Sequence, residues 1–198
     1  AFVRELGKRV AGGLRVRGVP TSEATARLAS ECGIPLAGLE AMPLALTVDG
    51  ADEVSPDRDL IKGLGRALLR EKAVASASDR LVILLGQSKK VGRLGARGKL
   101  PVEALPFALP LVRERIGRLG LSILLDERDG RPFVTDNGNW VLDILTGPIP
   151  DPRLLDHQLR DIAGVAGTGL FLGMDPLVLV GDEDRGFALL EELGGTEE

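Results

Sequence analysis

The chain has 198 residues, of which 44% are hydrophobic, and its 25 Lys and Arg against 29 Asp and Glu leave a net charge of −4. This composition predicts a compact globular protein, and the mildly acidic charge argues against a nucleic-acid partner. No apolar run reaches the roughly 20 residues that a membrane-spanning helix needs, which argues against a membrane protein. The single cysteine, Cys32, excludes an internal disulfide and fits the cytoplasm, and with one histidine it offers no zinc site.

Elements of an open parallel sheet follow one another in the first half of the chain. Phe2, Leu6 and Val10 recur at helical spacing, so the chain is predicted to begin inside a helix. Next come a strand at 16–19 and a capped helix at 22–31. A strand at 44–48, a helix at 64–78 and a strand at 81–85 then form a βαβ unit, which implies a parallel sheet.

The pattern changes between about residues 97 and 166. The predicted elements there are strands at 102–105, 121–128, 133–135 and 140–145 and helices at 111–119 and 154–162, with hairpin turns at Asp129-Gly130 and Asn137-Gly138. This order resembles a ferredoxin-like split βαβ lid. We therefore predict an α/β protein with a Rossmann-like domain (1–96 plus 167–198) and an inserted lid domain (97–166). The Rossmann-like domain ends with strands at 169–172 and 177–180 and a helix at 186–193.

An acidic turn follows the strand at 44–48. It contains Asp49, Gly50, Ala51, Asp52 and Glu53. Ligands of open α/β sheets sit beyond the carboxyl ends of the strands, so this turn is a candidate binding site. The alternative is an ordinary solvated turn, because Asp and Gly favour turns for local reasons.

A lysine among glycines precedes the helix at 64–78. The stretch Lys62, Gly63, Leu64 and Gly65 can bring backbone N–H groups close to a ligand, and free N–H groups at a helix start bind anions. Lys62 adds a full positive charge. Lys-Gly-x-Gly by itself is a weak signal, and it gains weight from the neighbouring acids.

Glu71 is centred on the apolar stripe of that helix. The stripe consists of Leu64, Ala67, Leu68, Val74 and Ala75, whereas Arg66, Arg70 and Ala73 are predicted to lie on the opposite side. Burial raises the pKa of a carboxyl, and a general base works best when its pKa is near the operating pH. The alternative is a structural ion pair with Lys62 or Lys72.

Taken together, these blocks resemble type A ribose-5-phosphate isomerase. The resemblance rests on Asp49–Glu53, Ile61–Gly65 and Leu69–Lys72, and it continues in order at Ser88–Val91, Pro101–Glu103, Val134–Asn139, Gly164-Val165 and Gly169–Phe171. It implies interconversion of ribose 5-phosphate and ribulose 5-phosphate through a cis-enediolate, with neither metal nor organic cofactor. It also implies a homodimer or homotetramer.

The resemblance also implies roles for individual residues. Glu71 matches the general base, and Asp49 to Asp52 match the acidic substrate loop, in which an aspartate assists ring opening. Lys62 to Gly65 match the loop that stabilises the enediolate oxygens. Lys89 matches a lysine that contacts the substrate near its phosphate.

Three features depart from the family pattern. Leu64 replaces a glycine, Gly86 replaces an aspartate, and no strand with a Gly-Thr-Gly-Ser-Thr phosphate loop precedes the first predicted helix. We therefore expect weak sugar-phosphate binding and little turnover from this polypeptide. Two alternatives stay open: a catalytically silent sugar-phosphate-binding homologue or fragment, and a domain related to acyl-CoA transferases.

Overall fold

The computed structural model describes residues 1–125, 127–128, 131–182 and 186–189. Its helices are α1 (Phe2–Ala11), α2 (Glu23–Glu31), α3 (Leu68–Ser76), α4 (Leu109–Arg118) and α5 (Pro152–Arg160). Within these residues, no helix is long and apolar enough to cross a bilayer.

Side chains that the sequence places just before two of the helices cap their N-termini. The Ser22 side chain accepts a hydrogen bond from the Thr25 amide at the start of α2, and the Asp151 side chain accepts one from the Leu154 amide at the start of α5. Each cap satisfies an amide that would otherwise lack an intrahelical partner.

The main sheet is parallel in its first three strands. Its strands are β1 (Thr47–Asp49), β4 (Leu81–Gly86), β12 (Leu177–Asp182) and β13 (Gly186–Leu189), in that spatial order. Strand β4 is parallel to both β1 and β12, and β13 is antiparallel to β12. The β1–α3–β4 unit therefore has the predicted parallel arrangement.

The lid sheet is antiparallel and has the spatial order β10-β5-β9-β6. Its strands are β5 (Lys99–Ala104), β6 (Ser122–Leu125), β9 (Trp140–Leu145) and β10 (Val165–Thr168), with α4 after β5 and α5 after β9. This is the predicted split βαβ arrangement, with β9 between β5 and β6. The domain boundaries at 97 and 166 stay a prediction.

A small sheet lies beside the candidate site. It joins β2 (Glu53–Val54), β3 (Leu60–Ile61) and β11 (Leu170–Phe171), all antiparallel. A two-stranded ribbon of β7 (Glu127–Arg128) and β8 (Arg131–Pro132) extends from the lid. Ile61 and Leu170 belong to the apolar core under the lid, while Leu60 and Phe171 belong to the core under the main sheet. The small sheet thus connects the two cores.

Several predicted elements of the main domain are corrected. The strand at 16–19 is reduced to one bridge between Gly18 and Leu36, because prolines at 20 and 35 cannot extend a ladder. The strand at 44–48 begins only at Thr47. The helix at 186–193 is wrong: its described part, Gly186–Leu189, is a strand along β12. A short apolar run does not distinguish helix from strand by its period.

The bounds of the lid elements also differ from the predicted bounds. The strand at 140–145 is confirmed, and the helices at 111–119 and 154–162 begin two residues earlier than predicted. The segment 121–128 is divided into β6 and β7, and 133–135 contributes only a bridge from Val134 to Trp140. Within the segment 169–172, only Leu170–Phe171 form a strand, β11. The Asp129-Gly130 turn lies outside the described residues.

Gly169 lies where the backbones of the two domains come into direct contact. Its amide donates to the Pro101 carbonyl at 2.7 Å, and its carbonyl accepts from the Lys62 amide at 2.9 Å. A methyl group at this position would overlap the Lys62 carbonyl oxygen. The position therefore requires glycine.

We predict that Gly169→Ala lowers the free energy of unfolding by about 1–3 kcal/mol, because the extra methyl overpacks backbone atoms. Gly117→Ala is the matched control, because Gly117 lies exposed in α4 with open space around its Cα. That change should raise the free energy of unfolding by roughly 0.5–1 kcal/mol. Urea denaturation measures both; equal effects of the two substitutions would contradict the prediction.

Candidate active site

Three elements bring the predicted site residues together. Asp49 ends β1, Lys62 follows β3 directly, and Glu71 lies in the first turn of α3. The end of β1 is a carboxyl end in the parallel sheet, where ligands of such sheets bind. The cluster therefore forms at the edge that the sequence pattern indicated.

Lys62 is the centre of the cluster. Its side chain is only 4% exposed, and its Nζ lies 2.9 Å from Asp49 Oδ2 and 3.3 Å from Glu71 Oε2. The same ammonium group donates to the Gly50 carbonyl and lies 5.4 Å from the centroid of the Phe171 ring. One buried cation thus joins the acidic turn to the helix.

Glu71 is 14% exposed, and its pKa is raised above the ordinary glutamate value. Burial is the largest cause; Lys62 opposes it, and Asp49 and Asp52 add to it. Among the described residues, no donor is aligned for a hydrogen bond to the buried Glu71 Oε2, although Lys62 lies within ion-pair distance. A carboxyl with a raised pKa is suited to accept a proton.

The alternative prediction was that Glu71 forms a structural ion pair with Lys62 or Lys72. The pair with Lys62 is present, and the pair with Lys72 is not found among the described residues. Lys72 Nζ donates to the Thr168 and Leu170 carbonyls, both at 2.7 Å, and lies 4.7 Å from the Phe171 ring centroid. Burial lowers the pKa of Lys72 to about 8. Lys72 therefore faces the β10–β11 junction.

The glycine-rich loop between β3 and α3 is bound at several points. The Lys62 amide donates to Gly169, and the Leu64 amide donates to Asp52 Oδ2 at 2.9 Å. Gly63 has a φ of +109°, which favours glycine, and Arg66 has a φ of +67°. These values turn the chain before α3 begins at Leu68, so the helix is shorter than predicted.

Two residues of the predicted helix therefore lie elsewhere. Leu64 was expected on the apolar stripe, but it belongs to the loop and is largely exposed. Arg66 was expected on the opposite side, but it precedes the helix and its side chain is buried against the lid, where it pairs with Asp143. Leu68, Val74 and Ala75 are buried as predicted.

The three acids of the turn have different environments. Asp49 pairs with Lys62 and accepts from the Gly50 amide at 2.8 Å, and Asp52 accepts from the Leu64 amide. Glu53 is instead fully buried, and its two oxygens accept from the Gly95 and Arg97 amides at 2.6 and 2.8 Å. Neither candidate role of Glu53, substrate contact or solvated turn residue, fits: it organises a neighbouring loop.

Among the described residues, Lys89 has no hydrogen bond or ion pair with this cluster. It ends a short 3-10 turn, Gln87–Lys89, immediately after β4, and is half-buried. Because β1 and β4 are parallel neighbours, Lys89 projects beyond the same edge of the sheet as Asp49. In the described structure, no carboxylate pairs with Lys89.

Sequence reasoning missed the contacts of Arg70. Its guanidinium donates to Asn137 Oδ1, the Asp136 carbonyl and the Glu23 carboxylate. Asn137 and Asn139 in turn donate to the buried Glu103. The Asp136–Asn139 turn thus binds α3 to the lid, and no local pattern in the sequence pairs this turn with Arg70.

The arrangement can bind an anion and move protons. Within the described residues, no three or more His, Cys, Asp or Glu side chains are placed to hold a metal ion. Loop amides and Lys62 offer positive charge, and a carboxylate of raised pKa faces them. These are the groups that proton transfer next to a carbonyl requires.

Comparison with known proteins agrees with this geometry. The family model for ribose 5-phosphate isomerase A (phosphoriboisomerase A) matches residues 17–185. The chain belongs to this family. It is 50% identical to ribose-5-phosphate isomerase A of Roseiflexus sp. (strain RS-1), over 90% of this chain and 78% of that protein.

Solved structures of the family share the fold. The ribose 5-phosphate isomerase from Plasmodium falciparum superposes with a TM-score of 0.90 at 33% identity, covering 96% of this chain and 84% of that one. A D-ribose-5-phosphate isomerase in complex with phospho-erythronic acid has a TM-score of 0.88 at 32% identity, with the same coverage. The Rossmann-like fold with an inserted lid is thereby confirmed.

We predict that Glu71 titrates above the ordinary glutamate range, and that its two neighbours move its pKa in opposite directions. Asp49→Asn should lower the pKa of Glu71, because it removes a negative charge, and Lys62→Met should raise it, because it removes the positive one. Carbon-detected NMR of labelled glutamate carboxyls measures the shifts. Glu5→Gln on exposed α1 is the control and should leave the titration unchanged; a shift in the same direction for both neighbours would refute the assignment.

Proposed function

We propose that this protein interconverts D-ribose 5-phosphate and D-ribulose 5-phosphate, a reaction of the non-oxidative pentose phosphate pathway. The observation that carries the proposal is the buried Glu71 carboxylate of raised pKa, placed across Lys62 from the acidic turn. Membership in the ribose 5-phosphate isomerase A family supports the substrate.

Glu71 is the proposed base. In the open-chain aldose, its carboxylate removes the proton from C2, and the electron pair of the C2–H bond forms the C1=C2 bond of a cis-enediolate. The former carbonyl oxygen on C1 receives the negative charge. Return of the proton from Glu71 to C1, with transfer of the O2 proton to O1, completes the ketose, so one carboxyl serves both carbons.

The loop at 62–65 is the proposed oxyanion site. Prearranged donors at a developing oxyanion contribute roughly 3 kcal/mol each. Lys62 supplies a full charge, and the backbone of Gly63, Leu64 and Gly65 supplies N–H groups. The Leu64 amide donates to Asp52 in this structure, so a substrate oxygen competes with that carboxylate for the donor.

Asp52 is the proposed proton carrier for ring opening and for transfer between the two substrate oxygens. Asp49 is less suited to this role, because its carboxylate already binds Lys62 and the Gly50 amide. We assign Asp49, with Gly50 and Ala51, to substrate binding and to holding the Lys62 side chain in place. Lys89, beyond the same sheet edge, is the proposed phosphate contact.

This reaction needs neither metal nor organic cofactor, and we propose the cytoplasm as its location, consistent with the lone Cys32. The weak binding and turnover expected from the sequence stay a prediction. Deuterium incorporation into the substrate measures the turnover.

Recovered ribose 5-phosphate should acquire deuterium at C2 when the protein is incubated with it in deuterated water. Glu71→Gln should reduce this incorporation by about 10²–10⁴-fold, because an amide cannot accept the proton. NMR or mass spectrometry of the sugar measures the label, and Glu114→Gln on the exposed face of α4 is the control. Undiminished labelling by the Glu71→Gln variant would remove Glu71 as the base, whereas a folded wild-type protein without labelling would favour the silent homologue.

We further propose that the protein assembles into a homodimer or homotetramer through the lid. Phe107 is 96% exposed, and Leu105 and Leu111 beside it are also exposed. Large apolar side chains grouped on a surface mark interaction sites. Leu105 and Phe107 lie between β5 and α4, and Leu111 lies in the first turn of α4.

Phe107→Ser should therefore lower the mass measured by light scattering in solution, because it removes the largest apolar side chain of this surface. Leu177→Ser, an exposed apolar position at the start of β12, should leave the mass unchanged. A wild-type protein with the mass of one chain would exclude the assembly.

A further inference from the structure

Arg66 has an unusual backbone and an unusual side-chain environment at once. It is a non-glycine residue with a φ of +67°, a conformation that L-residues other than Asn and Asp rarely adopt. Its amide closes a turn by donating to the Gly63 carbonyl at 2.9 Å. The turn contains Leu64 and Gly65, whose amides belong to the proposed oxyanion site.

The Arg66 guanidinium forms a two-point contact with Asp143. Nη1 lies 2.6 Å from Asp143 Oδ1 and Nη2 lies 3.1 Å from Oδ2. The two side chains are only 9% and 5% exposed. A paired fork of this kind fixes orientation as well as distance.

Asp143 belongs to an interior strand of the lid sheet. It lies in β9, paired with Pro101 of β5 on one side and Leu124 of β6 on the other. Its sequence neighbours Leu142 and Ile144 are fully buried in the lid core. Lys99 Nζ lies 3.6 Å from Asp143 Oδ2, but the Lys99 side chain is half-exposed. Arg66 is therefore the buried partner of the Asp143 carboxylate.

The other anchors of the loop lie at its beginning. The Lys62 amide is bound to Gly169, and the Leu64 amide is bound to Asp52. Arg66 is the contact that fixes the far end before α3 starts. Its side chain therefore ties the end of the turn at 63–66 to the lid.

We propose that the Arg66–Asp143 pair positions the oxyanion loop by fastening it to β9 of the lid. Arg66 is thus a positioning residue, which acts through the Leu64 and Gly65 amides and Lys62 without touching the substrate. The kinetic part of the inference rests on the proposed isomerase function. Because small displacements of aligned groups cost catalysis more than binding, the effect should appear in kcat.

The test compares two arginines with the same backbone conformation. Arg58 also has a positive φ, +62°, and also pairs with an aspartate, Asp175, but it lies in the β2–β3 hairpin. Arg66→Gly and Arg58→Gly each remove an ion pair and replace a strained residue by glycine. Only Arg66→Gly should reduce kcat, by about 10- to 100-fold, with the KM for ribose 5-phosphate changed less than about threefold.

Three further readouts separate positioning from general stability. Phospho-erythronic acid carries a carboxylate where the enediolate has its oxygens, so its inhibition constant should rise in Arg66→Gly by a factor similar to the fall in kcat. Hydrogen exchange of the Leu64 and Gly65 amides should accelerate in Arg66→Gly and Asp143→Asn but not in Arg58→Gly. The double variant Arg66→Gly/Asp143→Asn should be no worse than the more impaired single variant, because the two residues act as one unit.

Arg66→Lys keeps the positive charge but cannot form the two-point contact with Asp143, so its kcat should lie between those of the wild type and Arg66→Gly. If Arg66→Gly does not fold, Arg66→Lys replaces it in the test. Unchanged kcat together with unchanged amide exchange at 64 and 65 would overturn the proposal, as would an equal loss in Arg58→Gly. If the wild-type protein shows no isomerase activity, the proposed function fails separately. Amide exchange and phospho-erythronic acid binding then decide the positioning role.

Discussion

The buried ammonium of Lys62 is the constraint on which the site depends. A charge removed from water is tolerated only when it is paired and hydrogen-bonded, and Lys62 obtains this from Asp49, Glu71 and the Gly50 carbonyl. These partners come from β1, the acidic turn and α3. The three elements must therefore keep their mutual positions for the protein to fold with this lysine inside.

The same cluster sets the protonation of Glu71. Burial and the two aspartates raise its pKa, while Lys62 lowers it, so the carboxyl is tuned by opposing charges a few ångströms apart. A base must be ionised to take a proton and basic enough to hold it. The balance around Glu71 serves both needs.

Three successive residues near the start of α3 make different contacts. Successive helical residues point about 100° apart, so Arg70, Glu71 and Lys72 face three directions. Arg70 contacts the Asp136–Asn139 turn, Glu71 faces Lys62, and Lys72 donates to carbonyls at the β10–β11 junction. The helix is therefore held to the lid on both sides of its base, and buried Glu103 secures the turn that Arg70 contacts.

The sequence alone predicted a candidate site for proton transfer and most of the order of the elements. Asp49, Asp52, Lys62 and Glu71 were identified because acids, glycines and a lysine followed a strand and opened a helix, and the split βαβ lid emerged from its turns and periodicity. Tertiary structure decided what local pattern cannot encode. Glu53 is buried and binds two loop amides, and residues Gly186–Leu189 form a strand because they pair with the edge of β12. Helix α3 lacks the first turn that was predicted, because Gly63 and Arg66 adopt positive φ. Above all, Arg66 pairs with Asp143, which lies 77 residues away in the sequence. These two charges meet only because the lid packs against the loop.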